Sequence, residues 1–127
     1  MAFKFPDKDP DEKLDYTVDW SRYLAAGETI DSAGCTWKIQ KSDGSYVEFA
    51  TDQSFENNEV IPNVDSGEGT TTGLTIMSET YTTTKAVIVL SKGIANTSYH
   101  LLCEIRVNDA DGAVTNREIN LRVRERS

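Results

Sequence analysis

Apolar and polar side chains alternate in several short runs along the chain. Residues 14–20 read LDYTVDW, so that Leu, Tyr, Val and Trp alternate with Asp and Thr. This pattern is typical of a half-buried strand, because successive side chains of a strand point to opposite faces. It also covers residues 99–107 and returns at residues 119–123. Nowhere do apolar residues follow the period of about 3.6 residues expected of a helix, and the sequence therefore predicts an all-β fold.

Shorter strands and turns are predicted between these runs. Residues 35–39 and 46–49 alternate on either side of a turn at residues 42–45, which together predict a hairpin. Residues 74–77 and 83–90 are rich in β-branched side chains and predict two further strands. Short strands separated by turn residues indicate one β-sandwich of the immunoglobulin or fibronectin type III kind.

Three inward-facing residues bear on the details of that sandwich. Tyr99 follows a loop and begins its strand, like the tyrosine of the tyrosine corner in immunoglobulin-like domains; a core tyrosine with its hydroxyl at the rim is the other interpretation. Cys35 and Cys103 lack the close paired spacing of a zinc site. We interpret them as two buried thiols, and a disulfide across the core stays open as the alternative.

Composition places the chain among single globular domains. Its 127 residues, 38% apolar and 27% charged, suffice for one hydrophobic core. The longest apolar run, residues 86–90, is far shorter than the roughly 20 residues that cross a bilayer, so we expect neither a signal peptide nor a membrane partner. The net charge of −8 repels nucleic acid, which is not expected as a partner either.

Catalytic chemistry is sparse in the sequence. The single histidine, His100, alternates to the face opposite Tyr99, while both cysteines are predicted inside, so a nucleophile and a base would not meet. No glycine-rich phosphate-binding motif is present. Residues 108–112 lack the final glutamate of a calcium loop and predict a turn instead. We therefore expect no enzymatic activity and no catalytic, cofactor-binding or metal site.

Charge is distributed unevenly along the chain. Residues 41–72 carry one lysine against seven carboxylates, and three arginines share one side of the last predicted strand. Either feature can be an ordinary solvated surface. The functional hypothesis is that they orient docking to other proteins, because charge complementarity steers assembly. The candidate assembly contacts, including two residues near the N-terminus, are Arg106, Arg122, Arg124, Arg126, Asp52, Glu56, Glu59, Asp65, Glu68, Phe5 and Pro10.

Two stretches resemble a known family. Residues 7–20, DKDPDEKLDYTVDW, and residues 121–126, LRVRER, are similar to the opening and closing stretches of small tailed-bacteriophage structural proteins, the phage fibre-tail adaptor or head-tail region proteins. The similarity extends through residues 36–37, 73–75, 82–90 and 99–107. It implies an immunoglobulin-like sandwich in a virion without catalysis.

The residues and the resemblance together suggest how the chain is organised. Residues 1–13, with Pro6, Pro10 and many charges, are predicted to form an extended N-terminal arm. Residues 14–127 then form one sandwich domain. Shorter members of the family pass almost directly from the strand at residue 37 to the strand at residue 73. Residues 41–72, a hairpin and an acidic loop, are therefore expected to be an insertion.

The resemblance implies a non-enzymatic virion protein, an adaptor at the head-tail or tail-fibre attachment region, assembled in the host cytoplasm. Its expected partners are tail, fibre, connector or capsid subunits, with several copies or a homo-oligomer in the particle. A capsid decoration protein is the first alternative. A carbohydrate or host-surface binding module is another, with Tyr46, Phe49, Phe55 and Tyr81 as its candidate aromatic platform. Alternation instead favours a core position for Tyr46 or Phe49.

Overall fold

The computed structural model describes residues 3–10, 12–61, 73–108 and 112–124, and within these ranges it contains strands and turns but no helix. It accordingly holds no helix that could span a membrane in the part of the chain it describes. The strands are β1 (Phe3–Lys4), β2 (Lys13–Asp19), β3 (Ile30–Gln40), β4 (Tyr46–Glu48), β5 (Ser54–Glu56), β6 (Glu59–Ile61), β7 (Leu74–Tyr81), β8 (Lys85–Ser91), β9 (Thr97–Val107) and β10 (Val114–Val123). The predicted all-β fold is confirmed.

The strands form two five-stranded sheets. Sheet A has the order β1-β10-β9-β3-β4, and sheet B has the order β2-β8-β7-β5-β6. Neighbouring strands are antiparallel in both sheets except that β1 runs parallel to β10. The two inner faces share one hydrophobic core, which makes the molecule a β-sandwich.

The core follows directly from the alternation in the sequence. On β9 every second residue from Tyr99 to Val107 is buried, and the residues between them are exposed or half-buried. Trp20 and Trp37 are each 1% exposed and fill the space between the sheets. Burying a large apolar side chain contributes about 1.5–3 kcal/mol, so these strands are held mainly by their shared interior.

Residues 5–8 of the predicted N-terminal arm run along the last strand of sheet A. The Phe5 N–H donates to the Asn120 carbonyl at 2.9 Å, and the Lys8 N–H donates to the Arg122 carbonyl at 3.0 Å. The arm thereby continues the parallel pairing of β1 along β10 as far as the bridge between Lys8 and Val123. It then crosses to sheet B, which it enters as β2.

Residues 41–72, which we call the acidic segment, contribute to two hairpins within the described residues. The predicted hairpin of β3 and β4 is confirmed, with Gln40 opposite Tyr46. The second, formed by β5 and β6, was not predicted. Its two-residue turn consists of Asn57 and Asn58, whose φ angles of 51° and 65° match the left-handed backbone that tight hairpin turns require. The remaining residues of the acidic segment, 62–72, lie outside the described residues.

Tyr99 and the cysteines take the inward positions that the pattern predicts. The Tyr99 hydroxyl accepts a hydrogen bond from the Ile94 N–H at 3.0 Å, which ties the strand to the loop before it. This is the kind of bond a tyrosine corner makes, although an immunoglobulin-like topology stays a prediction. Cys103 is buried, Cys35 is half-buried, and both are free thiols.

Candidate assembly surfaces

Arg122 of β10 and Arg124, the residue that follows the strand, lie on the outer face of sheet A, because they alternate with buried Leu121 and Val123. Arg122 donates from Nη1 to the Ser98 hydroxyl at 3.5 Å, and its side chain is exposed. Arg124 forms an ion pair with Asp7, with 3.4 Å between Nη1 and Oδ2. Arg124 therefore fastens the arm to the last strand, while Arg122 presents its charge to the surface.

Arg106 shares this outer face but lies far from the other two. It stands opposite Val114, whereas Arg122 stands opposite Ser98 at the other end of β9. Eight residues of strand separate these positions, which is roughly 27 Å. The Arg106 stem packs closely over Gly34, where a Cβ atom would come within 2.7 Å of it. The expected basic patch is thus divided between two ends of the sandwich.

The acidic candidates that the structure describes lie on or beside the hairpin of β5 and β6. Glu56 and Glu59 stand opposite each other next to the turn, and Asp52 is exposed in the turn that precedes β5. The Ser42 N–H donates to the Asn58 side chain at 2.6 Å, which joins this hairpin to the turn between β3 and β4 of the other sheet. Three further candidates, Asp65, Glu68 and Arg126, lie outside the described residues.

These contacts bring Arg122 and the two glutamates of the β5–β6 hairpin to one end of the molecule. We call it the hairpin end, and it carries the turns at residues 41–45 and 57–58 together with Ser98 and Arg122. Phe55 of β5 sets its ring edge-to-face against Tyr99 at 6.2 Å, which places the acidic hairpin beside the start of β9. Arg106 lies at the opposite end. Sequence alone could not have shown this, because the grouping depends on strand register.

Phe5 does not lie on the surface as the assembly hypothesis requires. It is 6% exposed and stacks on Tyr16 with 4.5 Å between ring centroids. We therefore do not retain Phe5 as an assembly contact. Pro10, the other candidate from the arm, is half-buried.

Lys8 is a structurally important residue that sequence reasoning missed. Its side chain is fully buried, and its ammonium group donates to the carbonyls of Asp9 at 2.9 Å and Lys92 at 2.6 Å. A buried ammonium group is stable only when carbonyl or carboxylate oxygens replace its water. Lys8 thus ties the arm to the loop after β8, and no local pattern distinguishes it from exposed Lys13.

The four aromatic residues considered as a binding platform are buried or half-buried. Phe49 is 1% exposed, which confirms its expected place in the core. The Tyr81 hydroxyl donates to Glu79 at 2.9 Å, and burial raises the pKa of Tyr81. Tyr46 and Phe55 are half-buried on different strands. The four side chains do not form one exposed aromatic face.

The chemistry of the thiols is that of core residues. Burial raises the pKa of Cys103 to about 12, and burial also raises the pKa of Cys35. A thiol of such pKa is almost entirely protonated at neutral pH and is a poor nucleophile.

His100 lies on the outer face, with Nδ1 2.6 Å from the Asn120 side-chain oxygen. Among the described residues, no three His, Cys, Asp or Glu side chains are grouped as a metal site.

No curated protein matches the chain. A family model matches residues 8–60, a range that begins in the arm, includes β2 to β5 and ends within β6. The match therefore covers part of the segment expected to be an insertion. The matching family is described as Podophage GP4 fiber-tail adaptor protein gp77, so the resemblance to phage fibre-tail adaptor proteins is confirmed over residues 8–60.

Proposed function

We propose that the chain is a non-enzymatic structural protein of a phage virion, where it joins fibre subunits to the tail. The observation that carries this proposal is the match of residues 8–60 to a family named for fibre-tail adaptors. The partners are then other tail or fibre proteins, and the chain acts in several copies after assembly in the host cytoplasm.

The fold suits such a role. An adaptor must hold two partners at a fixed separation, and a sandwich with one continuous core transmits position without internal hinges. The arm is fixed along β10 by backbone hydrogen bonds, so it adds to this rigidity. In our proposal the hairpin end makes the contact with a partner, because exposed Arg122 and exposed Glu59 present both signs of charge there. Complementary charges would orient that contact.

Loss of the protein from assembling phage tests the adaptor role. Phage grown without the gene is expected to yield particles with DNA-filled heads and tails but without fibres, as seen by electron microscopy and by mass spectrometry of purified particles. Supplying the protein from a plasmid should restore the fibres. Particles that retain a full set of fibres without this protein would overturn the proposal.

Copy number separates the adaptor from a decoration protein. An adaptor is expected in a small fixed number per tail, whereas a decoration protein is present in a number comparable with the major capsid protein. Quantitative mass spectrometry of purified particles measures this ratio. A ratio near unity would replace the adaptor role with decoration of the capsid.

A further inference from the structure

The longest unpaired strand edge of the described molecule belongs to β2. The four outermost strands are β1, β4, β6 and β2, and they contain 2, 3, 3 and 7 residues. An edge strand presents a row of N–H and C=O groups that can pair with another strand. The arm does not occupy this edge, because residues 5–8 bond to β10 in the other sheet.

The direction of the backbone groups on β2 can be assigned. The Trp20 N–H donates to the Thr84 carbonyl at 2.8 Å, so Trp20 directs its backbone groups toward β8. Backbone direction alternates along a strand, and Leu14, Tyr16 and Val18 therefore also face β8. The N–H and C=O groups of the intervening residues point to the free edge. Those residues are Lys13, Asp15, Thr17 and Asp19, all of which have exposed side chains.

We propose that two copies of the chain pair through this edge, with β2 antiparallel to β2 around a two-fold axis at Tyr16. In this register Lys13 faces Asp19 of the second copy, and Asp15 faces Thr17. Because the axis is two-fold, each contact occurs twice. The result is one continuous ten-stranded sheet made from the two copies of sheet B.

Hydrogen bonding and charge select this register together. Antiparallel pairing of two such edges requires that residues with outward backbone groups face one another, so the register can shift only in steps that preserve this match. A shift of the second copy by two residues in one direction places Asp15 of one copy opposite Asp15 of the other. A shift by two residues in the other direction places Asp15 opposite Asp19. Like charges directly opposite each other destabilise a strand pair, whereas opposite charges stabilise it. Among the registers that pair at least five residues of β2, only the one centred on Tyr16 sets lysine against aspartate and keeps the carboxylates apart.

Asp19 is already held in place for such a contact. Its carboxylate accepts a hydrogen bond from the Ser21 N–H at 2.9 Å, and hydrogen bonds from Ser21 lower its pKa, so it stays ionised at neutral pH. Nothing in this inference depends on the proposed adaptor role. If the chain is a monomeric adaptor, the proposed dimer is wrong and the adaptor role stands. If the chain is a dimer with a different role in the virion, the adaptor role is wrong and the proposed dimer stands.

Charge reversal at the two ends of β2 gives a direct test with the purified chain. Lys13→Glu sets glutamate against Asp19, and Asp19→Lys sets lysine against Lys13, so each variant is expected to dimerise about tenfold more weakly than the unmodified protein. A mixture of the two variants should regain dimerisation as a heterodimer, because each then faces a partner of opposite charge. Sedimentation equilibrium gives the constants, and native mass spectrometry identifies the heterodimer.

Two further variants test the backbone pairing and control for the change in net charge. Thr17→Pro removes an N–H from the free edge but leaves the bonds between β2 and β8 intact, and it should abolish dimerisation without loss of the fold. Lys41→Glu changes the net charge by the same amount as Lys13→Glu, but Lys41 lies in the turn between β3 and β4, away from the β2 edge. It should therefore leave dimerisation unchanged. Circular dichroism confirms that each variant is folded. The inference is overturned if the unmodified chain stays monomeric at roughly 1 mM, if the mixture shows no preference for heterodimers, or if Thr17→Pro dimerises normally.

Discussion

Gly93 occupies a backbone position that other residues adopt only with strain. Its φ is +112°, and a Cβ atom there would lie 2.8 Å from Cγ2 of Val123. We expect Gly93→Ala to lower the free energy of unfolding by about 2–3 kcal/mol, through backbone strain and the contact together. Gly44→Ala is the matched control, because Gly44 has a φ of +91° and no atom within 4 Å. Its cost should be near 1 kcal/mol, the part due to strain. Equal losses in urea denaturation would contradict a role for the Val123 contact.

The thiols give a prediction with a defined pH dependence. The pKa of Cys103 is 9.0 without burial and rises to about 12 in the folded chain. The unfolded chain therefore releases this proton first, and stability should fall as pH rises above about 9.

Native protein at pH 8 should react slowly with a thiol reagent at half-buried Cys35 and only after unfolding at Cys103. Rapid modification of both thiols in the folded state would contradict the buried position of Cys103.

Among the elements, the N-terminal arm offers the sharpest test of its structural role. Phe5→Ala removes a buried ring that stacks on Tyr16, and we expect it to cost about 3–5 kcal/mol of stability. Pro6→Ala is a suitable control, since Pro6 is exposed and alanine keeps the carbonyl that accepts the Tyr16 hydroxyl. Chemical denaturation measures both. If the two variants lost similar stability, the arm would be bound through its backbone rather than through Phe5.

The elements also show how far local sequence predicts this fold. The long strands β2, β9 and β10 were predictable, because their alternation extends over many residues. Strands β5 and β6 have three residues each and depend on their neighbours, so the pair Asn57–Asn58 was the only local signal of their turn. The arm pairs with the last strand across nearly the whole chain, and no local pattern records such a pairing. The separation of Arg106 from Arg122 likewise could not be predicted locally, because it depends on the register of β9 against β10.

For the whole molecule, the position of Arg122 leads to a prediction about assembly. Arg122→Glu reverses a charge at the hairpin end and should reduce incorporation into particles severalfold, with the isolated domain still folded. Arg22→Glu makes the same change in the exposed turn after β2, away from the hairpin end, and serves as the control. Arg124 is a poorer choice, because its reversal would set a glutamate against Asp7. Immunoblots of purified particles measure incorporation, and equal incorporation of the two variants would contradict docking through the hairpin end.

The parallel pairing of the arm with β10 also has a mechanical consequence. Tension applied between residues 3 and 124 would pull two parallel strands in opposite directions along their common axis. The hydrogen bonds from Phe5 to Asn120, from Lys8 to Arg122 and from Arg124 to Lys8 would then bear the load together in shear, rather than opening one after another. Forced unfolding is governed by the unfolding rate, and a shear geometry slows it. A protein that holds a fibre against a moving host would gain resistance to pulling from this arrangement of its ends.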